Sequence, residues 1–109
     1  MSRISTHVLD VVLGKPAAGV VVRLERREDG HWDEIARGET DEDGRCPHLA
    51  PEATDGAYRL AFETGAYLSR HGRSSIYPEI IITFRCGNDL HYHLPLLLSD
   101  NSYTTYRGS

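Results

Sequence analysis

Residues 91–98, with the sequence HYHLPLLL, carry the clearest strand pattern in the chain. Side chains alternate between the two faces of a β-strand, so one face holds Tyr92, Leu94, Leu96 and Leu98. That face is apolar and is predicted to pack into a core. The opposite face holds His91, His93, Pro95 and Leu97. Imidazoles mixed with apolar groups are poorly suited to bulk water, so this second face indicates a cleft or a contact between subunits.

Alternation with a period of two recurs along the rest of the chain. It is clearest in residues 20–25, 58–63 and 79–85. Turn-forming dipeptides separate these runs, among them Asp29-Gly30, Asp43-Gly44 and Asp55-Gly56. Only residues 63–72 (ETGAYLSRHG) fit a helix, and it would have about two turns. We therefore predict an all-β fold, in which seven or eight strands form two packed antiparallel sheets beside one short helix.

The length and composition exclude several classes of protein. A chain of 109 residues suits one domain, predicted over residues 1–109. The formal charge of −4 offers no basic surface for nucleic acid or an anionic membrane. No apolar signal core or membrane-spanning segment is present. Cys46 and Cys86 form no C-x-x-C motif, which favours a reducing compartment. The alternative is a single disulfide between these two cysteines. We expect a cytoplasmic protein without nucleic-acid or membrane partners.

Three of the six histidines lie in strand-like segments: His7, His91 and His93. The segment STHVLDVVLG (5–14) places His7 on one face with Leu9, Val11 and Leu13. A single histidine of this kind is usually interfacial or structurally satisfied. Together the three favour acid–base chemistry, because one neutral imidazole can take a proton from water while a neighbour donates one. The other three, His31, His48 and His71, are predicted to lie on the surface.

A metal site is the alternative for the same histidines. An H-x-H motif on a strand directs two imidazoles to one face, and His7 could supply a third ligand. Structural zinc needs four protein ligands, however, and neither cysteine is placed to complete a recognisable set. We therefore expect neither a metal nor any other cofactor.

Arg45 directly follows the Asp43-Gly44 turn and is a candidate for binding an anionic or oxygen-rich group. Taken alone, it is an ordinary exposed arginine that pairs with Asp41 or Glu42. The chain has no G-x-S-x-G motif, P-loop or dinucleotide fingerprint, and neither cysteine lies in a nucleophile motif. Covalent catalysis is therefore not supported.

Several segments, in order along nearly the whole chain, resemble the transthyretin-related 5-hydroxyisourate hydrolases. These segments are STHVLD, GKPAAGVVVRLER, TDEDGRC, ETGAYL, YPEIIITF, HYHLPLLLS and the terminal YRGS. The last of them, Tyr106 to Ser109, is the most specific, because it separates these enzymes from transthyretin, the hormone carrier with the same fold. The resemblance implies a transthyretin-like sandwich that assembles as a homotetramer, a dimer of dimers with substrate sites where the dimers meet.

The resemblance also implies an activity and a set of site residues. The activity is hydrolysis of 5-hydroxyisourate to 2-oxo-4-hydroxy-4-carboxy-5-ureidoimidazoline in urate degradation. The family's catalytic groups correspond to His7, Arg45 and His93. Substrate-binding positions correspond to His7, Arg45, Tyr106 and Ser109, with His91, Arg107 and Gly108 in support. Either His7 or His93 would activate water, and Arg45 would stabilise negative charge on oxygen. The alternative function is that of a transthyretin-like carrier, which binds a small aromatic ligand in a central channel.

The chain departs from the family pattern at a few positions in turns. Glu42 stands where asparagine is usual, Asp100 to Ser102 replace a loop with Pro, Tyr or Gly, and Thr104 replaces a common serine. The residues matched to the chemistry are intact.

Overall fold

The computed structural model describes residues 2–46 and 49–108. The elements follow the chain in the order β1 (Ser2–Asp10), β2 (Lys15–Pro16), β3 (Val21–Glu28), β4 (His31–Glu39), β5 (Ala50–Ala53), β6 (Gly56–Phe62), α1 (Thr64–Arg70), β7 (Ile80–Cys86), β8 (His91–Leu98) and β9 (Tyr103–Thr105). The predictions made for His48 and Ser109 fall on positions outside the described residues.

The strands form two sheets, as predicted. One sheet has the order β4-β3-β6-β7, and the other has the order β2-β1-β8-β9, with β5 also paired to β1. Within the described ranges there are nine strand segments, more than the seven or eight predicted, because β2 and β9 are short additions of two and three residues. All pairs are antiparallel except β1 and β8, which run parallel. Parallel neighbours need a long connection, and here the entire β3-to-β7 segment supplies it.

The core contains the side chains that the alternating pattern assigned to it. Val22 and Leu24 of β3, Leu60 of β6 and Leu96 of β8 are fully buried. Removing such side chains from water stabilises the fold by about 1.5–3 kcal/mol each. Ala61 is buried as well, although the pattern places it on the outer face of β6.

Helix α1 lies within the predicted segment 63–72. Gly72 follows it with a φ of +69°, a left-handed conformation that glycine adopts without strain. The N–H of Arg73 then donates to the Leu68 carbonyl over 2.9 Å, which closes the last turn. Among the described residues, no helix is both long and apolar enough to cross a membrane.

A buried ionic network links the end of β1 to the helix and to the turn before β9. The Asp10 carboxylate accepts hydrogen bonds from the Tyr67 hydroxyl (2.8 Å) and from Nη1 of Arg73 (2.6 Å). Nη2 of Arg73 also lies 2.7 Å from an Asp100 carboxylate oxygen. Asp10 is fully buried, so its charge depends on these partners.

The network changes the ionisation of its members. Burial alone would raise the pKa of Asp10, but hydrogen bonds from Arg73, Tyr67 and the Leu13 N–H outweigh this effect and hold the pKa below its usual value. Burial, and then the hydrogen bond to Asp10, raises the pKa of Tyr67 to about 12. The phenol therefore remains a hydrogen-bond donor over the physiological range.

We expect Asp10→Asn to lower the free energy of unfolding at pH 7 by about 3 kcal/mol, because it removes the charged partner of a buried arginine. The folded state holds Asp10 at a lowered pKa, so its stabilisation is present above the unfolded pKa of about 4 and is lost as the pH falls through the folded value. Urea unfolding at pH 7 and pH 3 measures both effects. The difference between wild type and variant should shrink at pH 3.

Asp100→Asn is the matched control, because Asp100 contacts the same arginine but its side chain is 40% exposed. It should lose less stability than Asp10→Asn. Equal stability of Asp10→Asn and the wild type at pH 7 would contradict this account of the network.

Candidate active site

The parallel pair β1 and β8 brings the predicted histidines to one surface. In this ladder Ser5 pairs with His93, and His7 pairs with Pro95. Side chains of paired residues project to the same face of a sheet, so Ser5, His7, His91 and His93 all lie on the outward side. The predicted division of β1 into a buried and an outward face is confirmed by its strictly alternating burial.

The predicted outward face of β1 is too long. The pattern places Val11 and Leu13 beside His7, but β1 ends at Asp10, and residues 11–14 form a turn. The Asp10 carboxylate accepts hydrogen bonds from the N–H groups of Val12 (3.1 Å) and Leu13 (3.2 Å). An aspartate that binds the following backbone in this way favours a turn over an extended strand. This part of the prediction is therefore wrong.

The loop of residues 41–46 holds Arg45 next to His7. Asp41 accepts hydrogen bonds from the N–H groups of Asp43 (2.9 Å) and Arg45 (3.0 Å), which folds the loop tightly. Gly44 has a φ of +77°, and a Cβ there would lie 2.3 Å from the Val8 carbonyl oxygen. The loop thus approaches β1 closely enough for Arg45 to form an isolated antiparallel bridge with His7.

The guanidinium of Arg45 is not part of the ion pair that its sequence context suggested. Asp41 binds the backbone N–H of Arg45, and within residues 2–46 and 49–108 no carboxylate lies within 4.0 Å of the guanidinium. The positive charge therefore faces the cleft without a described counterion.

Residues 106–108 run along β8 after β9 ends. The Gly108 N–H donates to the His93 carbonyl over 2.8 Å, and this bridge continues the register in which Leu96 pairs with Thr105. The ladder is interrupted at Pro95, which has no N–H to donate. Gly108 thereby lies directly against the His93 ring, since a Cβ at position 108 would be 2.7 Å from Cδ2 of His93.

Arg107 anchors the same segment. Its Nη2 lies 2.8 Å from Oδ2 of Asp89 and donates to the His91 carbonyl over 3.2 Å. Its guanidinium also stacks 4.6 Å from the centre of the Tyr92 ring. Arg107 therefore holds residues 106–108 from the side of β8.

The hydrogen bonds of the three histidines differ. Nε2 of His7 lies 2.6 Å from the Asp43 carbonyl oxygen, which only accepts, so Nε2 carries the proton and Nδ1 has the lone pair when the ring is neutral. The Ser5 hydroxyl lies 2.7 Å from Nε2 of His91 and 2.8 Å from Nδ1 of His93. His91 and His93 are thus joined through one oxygen atom.

His93 has a pKa below its ordinary value of 6.5. Burial is the main cause, because it disfavours the charged ring, and electrostatic repulsion from His91, His7 and Arg45 adds to it. His93 is consequently a neutral imidazole at pH 7, able to accept a proton.

These groups surround an open cleft of about 380 Å³. The residues lining it are Ser5, Thr6, Asp41, Arg45, Cys46, His91 and His93. His7 lies beside this lining, at its bridge to Arg45. Tyr106, predicted to bind substrate, is 53% exposed and outside the lining. Ser109, predicted for the same role, is outside the described residues.

Two features of the structure bear on the disulfide and the metal site that the sequence offered as alternatives. Cys46 and Cys86 are both buried free thiols, so they do not form the disulfide that the sequence offered as an alternative. In the described part of the chain, no three His, Cys, Asp or Glu side chains are grouped as metal ligands would be.

Sequence reasoning missed Ser5, Asp41 and Asp89 as parts of the site. Ser5 could have been found, because it lies two residues before His7 and so on the same face of β1. Asp41 had a weaker signal, as an aspartate that begins a turn. Asp89 carried no local signal, since its partner Arg107 is 18 residues away in the chain.

Comparison with known proteins matches residues 4–108 to the HIUase/Transthyretin family. The chain belongs to this family. A 5-hydroxyisourate hydrolase of Salmonella typhimurium is 46% identical and covers 97% of this chain and 80% of its own length. The structure of the Klebsiella pneumoniae 5-hydroxyisourate hydrolase has 38% identity and a TM-score of 0.89, and the match covers 100% of this chain and 94% of the other.

A transthyretin has the same fold. Sea bream transthyretin in complex with thyroxine has 34% identity and a TM-score of 0.92, over 97% of this chain and 94% of the other. The sandwich is thus shared with both proteins, so the fold alone does not decide a function and the residues at the cleft must do so.

We expect Gly108→Ala to displace either the His93 ring or residues 106–108, because the added methyl group would sit 2.7 Å from Cδ2 of His93. The bond between the Gly108 N–H and the His93 carbonyl should weaken in consequence. Amide hydrogen exchange at residue 108 should accelerate, and the ¹⁵N shifts of the His93 ring should change.

Gly87→Ala is the matched control, since the nearest atom to its added Cβ is the Tyr92 hydroxyl oxygen at an ordinary 3.7 Å. It should leave the amide hydrogen exchange at residue 108 and the ¹⁵N shifts of the His93 ring unchanged. Unaltered exchange and shifts in Gly108→Ala would show that residues 106–108 do not pack against His93.

Proposed function

We propose that this chain hydrolyses 5-hydroxyisourate by adding water to a ring carbonyl carbon and breaking the adjacent C–N bond. The observation that carries this conclusion is a neutral imidazole, His93, in the same cleft as the guanidinium of Arg45. A proton acceptor next to a fixed positive charge suits attack by water on a carbonyl group. Relatives at 46% and 42% identity, from Salmonella typhimurium and mouse, are named 5-hydroxyisourate hydrolases.

His93 is the proposed general base. Its Nδ1 is engaged by Ser5, so Nε2 is the nitrogen left for water. The lowered pKa of His93 keeps the ring neutral at neutral pH, and in the tautomer with its proton on Nδ1 the Nε2 atom holds a lone pair. The carbonyl oxygen would gain negative charge as water attacks, and Arg45 would stabilise it by about 3 kcal/mol.

His7 is proposed to orient the substrate. Because its Nε2–H is committed to the Asp43 carbonyl, the free Nδ1 of the neutral ring accepts a hydrogen bond. The N–H groups of the substrate ring are suitable donors. The sequence left the choice of base open between His7 and His93, and these hydrogen bonds favour His93.

The segment from Tyr106 to Ser109 is proposed to complete the site. Arg107 and Gly108 hold residues 106–108 along β8 through the contacts to Asp89 and His93. Tyr106 and Ser109 would then position the substrate ring and exclude bulk water, as the resemblance implies. This proposed chemistry uses only side chains and water.

We expect His93→Ala to lower kcat/KM by about 10²–10⁴-fold, because it removes the base. Arg45→Ala should lower kcat/KM by about 10²-fold through loss of charge stabilisation. His7→Ala should mainly raise KM, since its proposed role is orientation. Stopped-flow absorbance with freshly generated 5-hydroxyisourate measures all three.

His31→Ala and Arg37→Ala are the matched controls, because both side chains are more than half exposed and lie on β4 in the other sheet. Both should match the wild type. If the single variants His93→Ala and Arg45→Ala both hydrolysed the substrate at the wild-type rate, the proposed site would be refuted.

The carrier function is the less supported alternative, since the curated relatives named here are hydrolases. A carrier has no use for a neutral imidazole next to an arginine. Isothermal titration calorimetry with thyroxine provides the comparison: tight binding without any hydrolysis of 5-hydroxyisourate would reverse the order of the two functions.

We also propose the assembly that the resemblance implies, a homotetramer built as a dimer of dimers in the cytoplasm. It is supported by large apolar side chains left exposed on one chain, among them Val11 (52%) and Val12 (54%). Two free thiols suit a reducing compartment. Multi-angle light scattering should give the mass of a tetramer, and a monomer at micromolar concentration would contradict this proposal.

A further inference from the structure

The Ser5 hydroxyl connects the two imidazoles of β8. It lies 2.7 Å from Nε2 of His91 and 2.8 Å from Nδ1 of His93. The ring centres are 5.9 Å apart and the planes are inclined by 44°, so the rings do not stack on each other. The contact between them therefore runs through the serine oxygen. The register of β1 against β8, with Ser5 opposite His93, fixes this arrangement in the backbone.

The protons on these bonds can be counted. A serine hydroxyl has one hydrogen, and among the described residues Ser5 has only these two partners. It therefore donates to one imidazole and accepts from the other. Either His93 donates through Nδ1 and Ser5 donates to His91, or His91 donates through Nε2 and Ser5 donates to His93. The first arrangement leaves Nε2 of His93 with a lone pair, and the second puts a proton there.

The two arrangements correspond to the two tasks of one catalytic histidine. With a lone pair on Nε2, His93 is a base that can take a proton from water. With a proton on Nε2, the same neutral ring is an acid that can donate to a leaving nitrogen. When Nε2 of His93 takes a proton from water, the shift of two protons along the His91–Ser5–His93 chain leaves His93 neutral with its proton on Nε2 and places the extra proton on His91.

We propose that Ser5 is a positioning residue that, together with His91, sets and reverses the tautomer of His93 during hydrolysis. This inference rests on the proposed function and extends it to a residue two positions before His7. As water attacks, its proton goes to Nε2 of His93 and its oxygen bonds to the carbonyl carbon, whose π electrons move to oxygen. The Nδ1 proton of His93 passes to Ser5, and the Ser5 proton passes to Nε2 of His91.

The second half of the reaction reverses these transfers. The electron pair on the oxygen re-forms the carbonyl bond as the C–N bond breaks, the C–N electron pair goes to nitrogen, and Nε2 of His93 donates its proton there. His91 returns a proton to Ser5, and Ser5 returns one to Nδ1 of His93. The three residues regain their starting protonation, and the net change is the addition of one water molecule to the substrate.

The surroundings favour a neutral His93 between these steps. Burial and nearby positive charge lower its pKa, so a positive charge on His93 is unfavourable. Placing the extra proton on His91 avoids that charge. Among residues 2–46 and 49–108, the titratable or charged groups near His93 are His7 of β1, His91 of β8, Asp41, Arg45 and Cys46 of the 41–46 loop, and Arg107 next to Gly108.

The relay is tested with three variants of the full chain. Ser5→Ala removes the link, Ser5→Thr keeps the hydroxyl, and His91→Gln keeps a hydrogen-bonding group that neither takes up nor releases a proton at these pH values. The ¹⁵N shifts of the His93 ring report its tautomer without substrate, and kcat, KM and the pH profile of kcat report the reaction. Ser69→Ala, an exposed serine in α1, is the matched control.

We expect Ser5→Ala to lower kcat about 10- to 100-fold with little change in KM, a loss typical of groups that orient a functional histidine. The acid limb of its pH profile should move, and the ¹⁵N shifts of His93 should indicate a different mixture of tautomers. Ser5→Thr should restore all of these readings toward wild type. His91→Gln should keep a single His93 tautomer and still lower kcat.

Wild-type kcat, pH profile and ¹⁵N shifts in a folded Ser5→Ala would overturn the inference. Equal losses in Ser5→Ala and Ser5→Thr would also overturn it, because they would indicate a packing role. If the wild type does not hydrolyse 5-hydroxyisourate, the proposed function fails. The ¹⁵N shifts then still decide whether Ser5 sets the His93 tautomer, and the catalytic role of the link is refuted.

Discussion

The parallel register of β1 against β8 is the constraint on which the rest of the site depends. It sets Ser5 beside His93 and His7 beside Pro95, so that two strands distant in sequence contribute to one surface. Side chains alternate with a period of two, so a slip of one residue in either strand would turn its outward polar side chains toward the core. The buried leucines of β8 and the alternating burial of β1 oppose such a slip. The hydrophobic core therefore fixes the geometry of the polar cleft on the other side of the same sheet.

The segments that complete the cleft are attached to this sheet by backbone contacts. The 41–46 loop reaches β1 through the Val8 N–H and the Gly44 carbonyl, which are 2.7 Å apart, and residues 106–108 reach β8 through the Gly108 N–H. Backbone hydrogen bonds leave the side chains free for chemistry. At the end of β1, the buried Asp10 network ties the same sheet to α1 through Tyr67. Stability and function thus share one strand but use opposite faces of it.

The electrostatics of the cleft follow from which charges are paired. Arg23, Arg73 and Arg107 each contact carboxylates, so composition alone overstates how many arginines are available to a ligand. Arg45 has no such partner among the described residues, because Asp41 is occupied by the backbone of its own loop. Burial is the main cause of the lowered pKa of His93, and the charge of Arg45 adds to it. The same charge remains available to a developing oxyanion.

The sequence by itself determined the β-class, the short helix near residues 63–72 and the outward positions of His7, His91 and His93, because alternation and turn chemistry are local properties of the chain. It also carried the family motifs that point to Arg45. It missed where β1 ends, since the Asp10 carboxylate turns Val11 and Leu13 out of the strand. Only the tertiary structure decided the parallel pairing, the position of Ser5 between two imidazoles and the contact of Gly108 with His93. These features depend on the register between strands that are far apart in sequence, and no local pattern encodes that register.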